Sequence, residues 1–332
     1  MIFTGHLKPL GRRQVLATAV GSLLSPWVQA QGTDWPVKPI RLVAPSGAGG
    51  PTDIFARLVG DHMAKTFKQP FVIDNKPGAN GIIGNDIVAK APADGYTLLF
   101  TYAAAIAVNH TLIPKLPYDT LKDLQPVAQI GVGGSLLVVT SDFPAKTLRE
   151  FVDLVKANPN KYNYGSWGVG SGGHLGMEAL KMQSGLKINH VPYKTVSLIL
   201  NDLLGGQINI SFVDPSTALV HIRSGKLRPL VCIGTRRGPA LPDVPTMTES
   251  GYKFDVDAWY GIFAPAGTPT SIVRRLNEEA NRITQLPEIR SRFTALNMAD
   301  PPTKSAEQFA QTIRDDIQAW GAVIKSADIK PE

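Results

Sequence analysis

A single cysteine among 332 residues excludes any disulfide within the chain, and Cys232 sits in the apolar stretch Leu230-Val231-Cys232-Ile233, where it reads as a small core residue. No run of lysine and arginine with interleaved aromatics is present, which argues against a nucleic-acid partner. The most membrane-like stretch, Val15 to Leu24, is about half of the ~20 residues a spanning helix needs, and Pro26 breaks the pattern just beyond it. There is no Gly-Lys-Ser/Thr phosphate loop and no Gly-x-Ser-x-Gly elbow. The histidines at 6, 62, 110, 174, 190 and 221 form no His-x-x-x-His pair and have no carboxylates at ligand spacing. No metal or cofactor is therefore expected. Internal repeats and low-complexity segments are also lacking.

The N-terminus reads as an export signal. Arg12-Arg13-Gln14-Val15-Leu16 is a twin-arginine pattern ahead of a short apolar core, and Val28-Gln29-Ala30 offers small residues where a signal peptidase cuts. Cleavage after Ala30 would remove Lys8, Arg12 and Arg13 but no acid, so the formal charge of +7 would fall to +4. The remaining 302 residues are close to the limit for one core, which favours two domains.

Strand and helix patterns alternate over most of the chain. Strands are expected over 40–44, 71–74, 97–101, 136–140, 162–165, 189–191, 208–212 and 227–233. Helices are expected over 52–67, 81–91, 148–157, 172–184, 196–204, 218–223, 272–286 and 306–326. This is an α/β pattern, with mainly parallel sheets flanked by helices. The apolar stretches 127–132 and 257–263 are candidate crossings between two lobes, one of 36–128 plus 259–332 and the other the inserted 129–258.

Two glycine loops stand between a strand and a helix. The first is Ser46-Gly47-Ala48-Gly49-Gly50-Pro51-Thr52-Asp53, and the second runs from Ser166 through Trp167, Gly168, Val169 and Gly170 to Ser171, a natural N-cap. Unpaired N–H groups at a helix start, together with the helix dipole, suit a carboxylate or phosphate, and glycine lets the ligand approach the backbone. One loop on each lobe could clamp a single acid from both sides. His174, in the first turn after the second loop, reads as a local hydrogen-bonding residue. Gly47, Gly49 and Asp74 partly match a dinucleotide fingerprint, so the alternative is an exported nucleotide-dependent oxidoreductase. Thr52 stands where that fingerprint needs its third glycine.

An ordered set of further motifs spans the mature chain: Trp35-Pro36-Val37-Lys38-Pro39-Ile40, Asp74-Asn75-Lys76-Pro77-Gly78-Ala79, Ala93-Asp94-Gly95-Tyr96-Thr97, Leu116-Pro117-Tyr118-Asp119, His190-Val191-Pro192-Tyr193-Lys194, Asp202-Leu203-Leu204-Gly205-Gly206-Gln207 and Leu241-Pro242-Asp243-Val244-Pro245-Thr246. In this the sequence resembles the Bug-type extracytoplasmic solute receptors of tripartite tricarboxylate transporters. The resemblance implies a two-lobed periplasmic binding protein of type II, joined by a two-strand hinge and closing on a small organic carboxylate. It also implies a periplasmic monomer, not an enzyme, that delivers its ligand to the transporter's membrane components. Di- and tricarboxylates, aromatic acids and acidic amino acids all remain open. The implied ligand contacts are Ser46, Gly49, Gly50, Thr52 and Asp53 in the first loop and Ser166, Val169, Gly170 and Ser171 in the second, Asp53 being better suited to capping the helix. Tyr102, Tyr193, Asp214 and Trp259 are the candidate specificity residues. Thr195, where the family commonly has glycine, and the bulky Trp167 depart from its pattern.

Overall fold

The computed structural model describes residues 1–2, 35–254 and 256–331. Apart from its first two residues, the leader over 1–30, with its cleavage site, lies outside them.

The chain first lays down β1 (Ile40–Ala44), α1 (Pro51–Phe67), β2 (Phe71–Asn75), α2 (Ile82–Ala89) and β3 (Thr97–Tyr102). A π-helical segment, Ala104–Val108, and the short α3 (Asn109–Leu112) lead into β4 (Leu124–Gly133). A second series comes next: β5 (Leu136–Thr140), α4 (Leu148–Ala157), β6 (Asn163–Ser166), α5 (Gly172–Ser184), β7 (Asn189–Pro192), α6 (Val196–Leu204), β8 (Ile210–Val213), α7 (Pro215–Arg223) and β9 (Leu227–Cys232). The chain then closes through β10 (Ala258–Pro265), α8 (Thr270–Thr284), α9 (Pro287–Ala295) and α10 (Ala306–Ser326).

These strands form two five-stranded sheets, ordered β2-β1-β3-β10-β4 and β7-β6-β8-β5-β9. In each sheet four strands run one way, and the strand in fourth place, β10 or β5, runs against them. The expected α/β fold is present, with one reversed strand in each sheet.

Helix ends follow local chemistry. Gly50, with extended backbone, precedes Pro51 at the first position of α1, and Lys68 ends that helix in the left-handed region. Ser171 and Thr195 cap α5 and α6 with their hydroxyls. Asp214 caps α7 with Pro215 next to it, so α7 starts three residues before the sequence pattern suggests. α10 begins with a capping box between Ser305 and Gln308.

The stretches 127–132 and 257–263, read as crossings, lie largely within β4 and β10. These are the longest strands, paired from Ala258 opposite Gly133 to Pro265 opposite Leu124. The passages between the sheets lie beyond them, at Gly134-Ser135 and in the segment after Cys232. A Cβ on Gly134 would fall on the carbonyl of Ile233, so the outgoing and returning chains touch there. Gly261 is needed in β10 for a similar reason: a Cβ would come within 2.6 Å of the Phe309 ring of α10.

Packing is continuous between the two halves. One apolar cluster joins Ala107, Val108 and Leu112 to Leu137, Leu175 and Phe212 of the second series, and takes in Trp320 and Ile324 of α10. Cys232 is buried in another cluster with Leu136 and Ile199, as its sequence context suggests. Among the described residues, no helix is long and apolar enough to cross a membrane, and no group of His, Cys, Asp or Glu is placed to hold a metal.

Candidate functional site

A cavity of about 270 Å³ lies between the two sheets, lined from both. On the first side it is walled by the loop after β1, by 77–81 and by Tyr102, Ala103 and Ala104. On the second side it is walled by Trp167, Gly172, the segment 194–197 and the start of α7. Trp259, Tyr260, Met298 and Trp320 complete it.

The loop after β1 is built to leave donors free. The Gly50 N–H donates to Gly47 O at 3.1 Å, and the Gly49 N–H to Asp53 Oδ2 at 2.9 Å, which closes the turn on itself. Asn75 braces it from β2, donating to Ser46 O at 3.1 Å and Asp53 Oδ1 at 3.0 Å. Burial pushes the Asp53 carboxyl up, but Arg57, the Gly49 N–H and Asn75 outweigh it and hold the group below the usual carboxylate range. Asp53 thus stays charged and ties the loop to the first turn of α1 through the Gly49 N–H and Arg57, but the helix is capped at Gly50 without a side-chain cap bond, so Asp53 is not its cap.

The N–H groups of Gly47, Ala48 and Thr52 have no protein acceptor among the described residues. The Ser46 hydroxyl is buried at the cavity wall, also without a partner. A buried hydroxyl left unpaired costs roughly 1–3 kcal/mol, so a guest that accepts from it relieves a real penalty. The positive end of α1 adds to the attraction for an anion.

The second glycine loop is arranged differently. The Ser166 hydroxyl donates to Gly168 O at 3.1 Å and lies 2.6 Å from His190 Nε2. Ser171 Oγ accepts from the His174 N–H, and His174 Nδ1 accepts from the Gly170 N–H at 3.1 Å. Val169 packs against the apolar cluster, and Gly170 backs onto Leu112 and Val108, where a Cβ would clash. Ser166, Val169, Gly170 and Ser171 therefore do not line the cavity; from this region only Trp167 and Gly172 do. Tyr193 is also off the wall, its hydroxyl donating to Asp202 at 2.7 Å.

Of the residues singled out in the sequence, the cavity gathers Ser46, Gly50, Thr52, Tyr102, Asp214 and Trp259, together with Trp167 and Thr195, but not Gly49 or Asp53. Sequence reasoning missed Asn80, Lys194, Ser197, Tyr260, Met298 and Trp320. Of these, Lys194 closes the motif His190–Lys194, Asn80 follows the motif Asp74–Ala79, and Ser197 lies two residues past Thr195; the others stand outside any motif.

Two hydrogen-bond links bridge the walls. The Tyr260 hydroxyl, from β10, donates to Asp214 Oδ2 at 3.0 Å. Asn80 takes a bond from the Tyr102 hydroxyl at 3.1 Å and reaches Gly170 O at 3.5 Å. Asp214 Oδ1 also accepts from Ser216, through N–H at 2.9 Å and hydroxyl at 2.6 Å. Burial pushes the Asp214 carboxyl up, and its bonds from Ser216 and Tyr260 offset this only in part. Among the described residues of the lining, Lys194 is the only basic side chain and Asp214 the only acidic one. Asp74, which a ribose would need, is held by Arg41 and Lys76.

Residues 55–329 match the family model of the tripartite tricarboxylate transporter family receptor. The chain belongs to that family. It is 35% identical over 298 residues to the protein BugT of Bordetella pertussis, an alignment covering 89% of this chain and 91% of BugT. Among solved structures, an R. palustris protein with adipate is 31% identical with a TM-score of 0.85, covering 90% of this chain and all of the other. MatC from Rhodopseudomonas palustris with bound malate is 34% identical with a TM-score of 0.80, covering 87% of this chain and all of MatC. Receptors of this family are periplasmic and bind solutes.

Proposed function

We propose that the chain, exported and freed of residues 1–30, is a periplasmic receptor that takes a small organic carboxylate into the cavity between its sheets. It then presents the loaded form to the membrane components of a tripartite tricarboxylate-type transporter. The observation that carries this reading is the loop after β1, where Ser46, with its unpartnered hydroxyl, and Gly47, Ala48 and Thr52, whose N–H groups have no protein acceptor among the described residues, line one cavity. The carboxylates held by the two R. palustris relatives support it. In this role Ser46, Gly47 and Thr52 grip the carboxylate, ordered water serves its remaining lone pairs, and Tyr102, Trp167, Asp214 and Trp259 shape the space around the rest of the guest.

The experiment is a thermal-shift screen of the mature chain against mono-, di- and tricarboxylates. A ligand at a hundredfold over its dissociation constant should stabilise the protein by about 2.7 kcal/mol and raise its melting temperature accordingly. A broad panel that leaves the melting temperature unmoved would refute the receptor role.

A further inference from the structure

Two parts of the cavity lining lack complementary partners. The loop after β1 offers donors without acceptors, namely the Ser46 hydroxyl and the N–H groups of Gly47, Ala48 and Thr52. The start of α7 offers an acid without a cation. Asp214 lines the cavity and is half-buried, and all three hydrogen bonds to its carboxylate come from neutral donors: the Ser216 N–H and hydroxyl on Oδ1 and the Tyr260 hydroxyl on Oδ2. Among the described residues no lysine, arginine or histidine acts on it, and Lys194, the one basic residue of the lining, is exposed.

Elsewhere the fold pairs the acids that it draws inward. Asp53 meets Arg57 at 2.9 Å, Glu178 meets Lys181 at 2.7 Å and Glu279 meets Arg282 at 2.6 Å. Asp316, bonded by the Trp259 indole N–H, has no such ion pair among the described residues, but it does not line the cavity.

Capping does not use Asp214 up. Oδ1 alone serves the N-terminus of α7, and Oδ2, with a single bond from Tyr260, keeps a lone pair for a further donor. The three bonds fix the carboxylate in place, so a guest meets it already oriented. Burial of a carboxylate without a counter-charge is costly, and a positive group brought into the cavity would offset that cost.

We propose that the guest carries an ammonium group that pairs with Asp214 while its carboxylate sits on the loop after β1, so that the receptor selects amino acids over the same acids lacking the nitrogen. This rests on the reading of the cavity as a carboxylate site. A charge-assisted hydrogen bond from an ammonium to Asp214 is stronger than one from a neutral hydroxyl, so a hydroxy acid ranks below the matching amino acid.

Calorimetry on the mature chain at pH 7 tests it with two matched series: butyrate with 2-aminobutyrate and 4-aminobutyrate, and succinate with malate and aspartate. In each series an amino acid should bind at least tenfold tighter than the acid without nitrogen, with malate between succinate and aspartate. Asp214→Asn keeps a good cap for α7 and should bring the amino acids to within about threefold of their partners while changing butyrate little. A near-wild-type melting temperature would establish that the variant folds; if it does not fold, Asp214→Ser, another good cap, takes its place. Amino acids no tighter than butyrate and succinate, malate as tight as aspartate, or an advantage undiminished in the variant would overturn the ammonium site while leaving carboxylate binding intact. Binding of none of the six would overturn both.

Discussion

Ser46 and Ser171 each stand between a strand and a helix, yet their hydroxyls have different partners. Ser171 caps α5, so Ser171→Ala should cost about 1 kcal/mol of stability in chemical denaturation and leave ligand affinity nearly unchanged. The Ser46 hydroxyl has no partner among the described residues, so Ser46→Ala should leave stability unchanged or slightly raised while weakening carboxylate binding by roughly 0.5–1.5 kcal/mol in calorimetry. Equal losses of affinity in the two variants would mean that both loops hold the ligand. Gly47 is the sharper probe. A Cβ there meets no protein atom within 4 Å, and the residue lines the cavity. Gly47→Val should therefore fold normally and lose more than tenfold in affinity, because the new side chain occupies the space of the guest. Gly49, at φ +75°, is required for its backbone conformation, and its N–H closes the loop on Asp53.

At the scale of elements, His174 and His190 form a stacked pair, ring centroids 4.3 Å apart, between α5 and β7. Burial pushes both imidazoles down to about 4. Unfolded histidines bind protons near pH 6.5, so between about pH 6.5 and 4 the unfolded state holds more protons than the folded one. The pair's contribution to stability is therefore complete above pH 6.5 and is lost as the pH falls toward 4. Asp316, whose carboxyl burial pushes up to about 6, acts in the opposite sense over part of that range. Comparing wild type with His174→Gln by urea unfolding at pH 7 and pH 5 removes the Asp316 contribution. The wild type should lose more stability than the variant, and identical losses would mean that the histidines titrate normally.

Much of the fold was legible element by element, since α1, α4, α5 and α6 are bounded by the caps, prolines and glycines their sequences display. β4 and β10 were less legible as strands. Pro126, Gly131 and Gly261 break their pattern, and what makes them strands is their pairing with each other across 130 residues of chain. The site divides in the same way. The loop after β1 lines the cavity through chemistry local to its own sequence, whereas the second glycine loop is occupied by Leu112, Val108 and His190, all distant in sequence. Tyr260, Met298 and Trp320 carry no motif and reach the wall only through the fold.

At the scale of the whole molecule, the two sheets are joined where Gly134 meets Ile233, and the links from Tyr260 to Asp214 and from Asn80 to Gly170 bridge the cavity. We expect the two sheets with their helices, divided at Gly134-Ser135 and in the segment after Cys232 rather than within β4 and β10, to open about that junction and close on ligand as rigid bodies. Solution scattering should give a smaller radius of gyration with saturating carboxylate than without, and Tyr260→Phe, which removes one link, should enlarge the ligand-free value. An unchanged radius in both comparisons would mean that the cavity fills without domain motion.

The most direct test is a crystal structure of the mature chain with the acid that binds most tightly. The account predicts carboxylate oxygens about 3 Å from Ser46 Oγ and from the N–H groups of Gly47, Ala48 or Thr52. An acid seated on the loop of Ser166 to Ser171, with the loop after β1 bare, would contradict it.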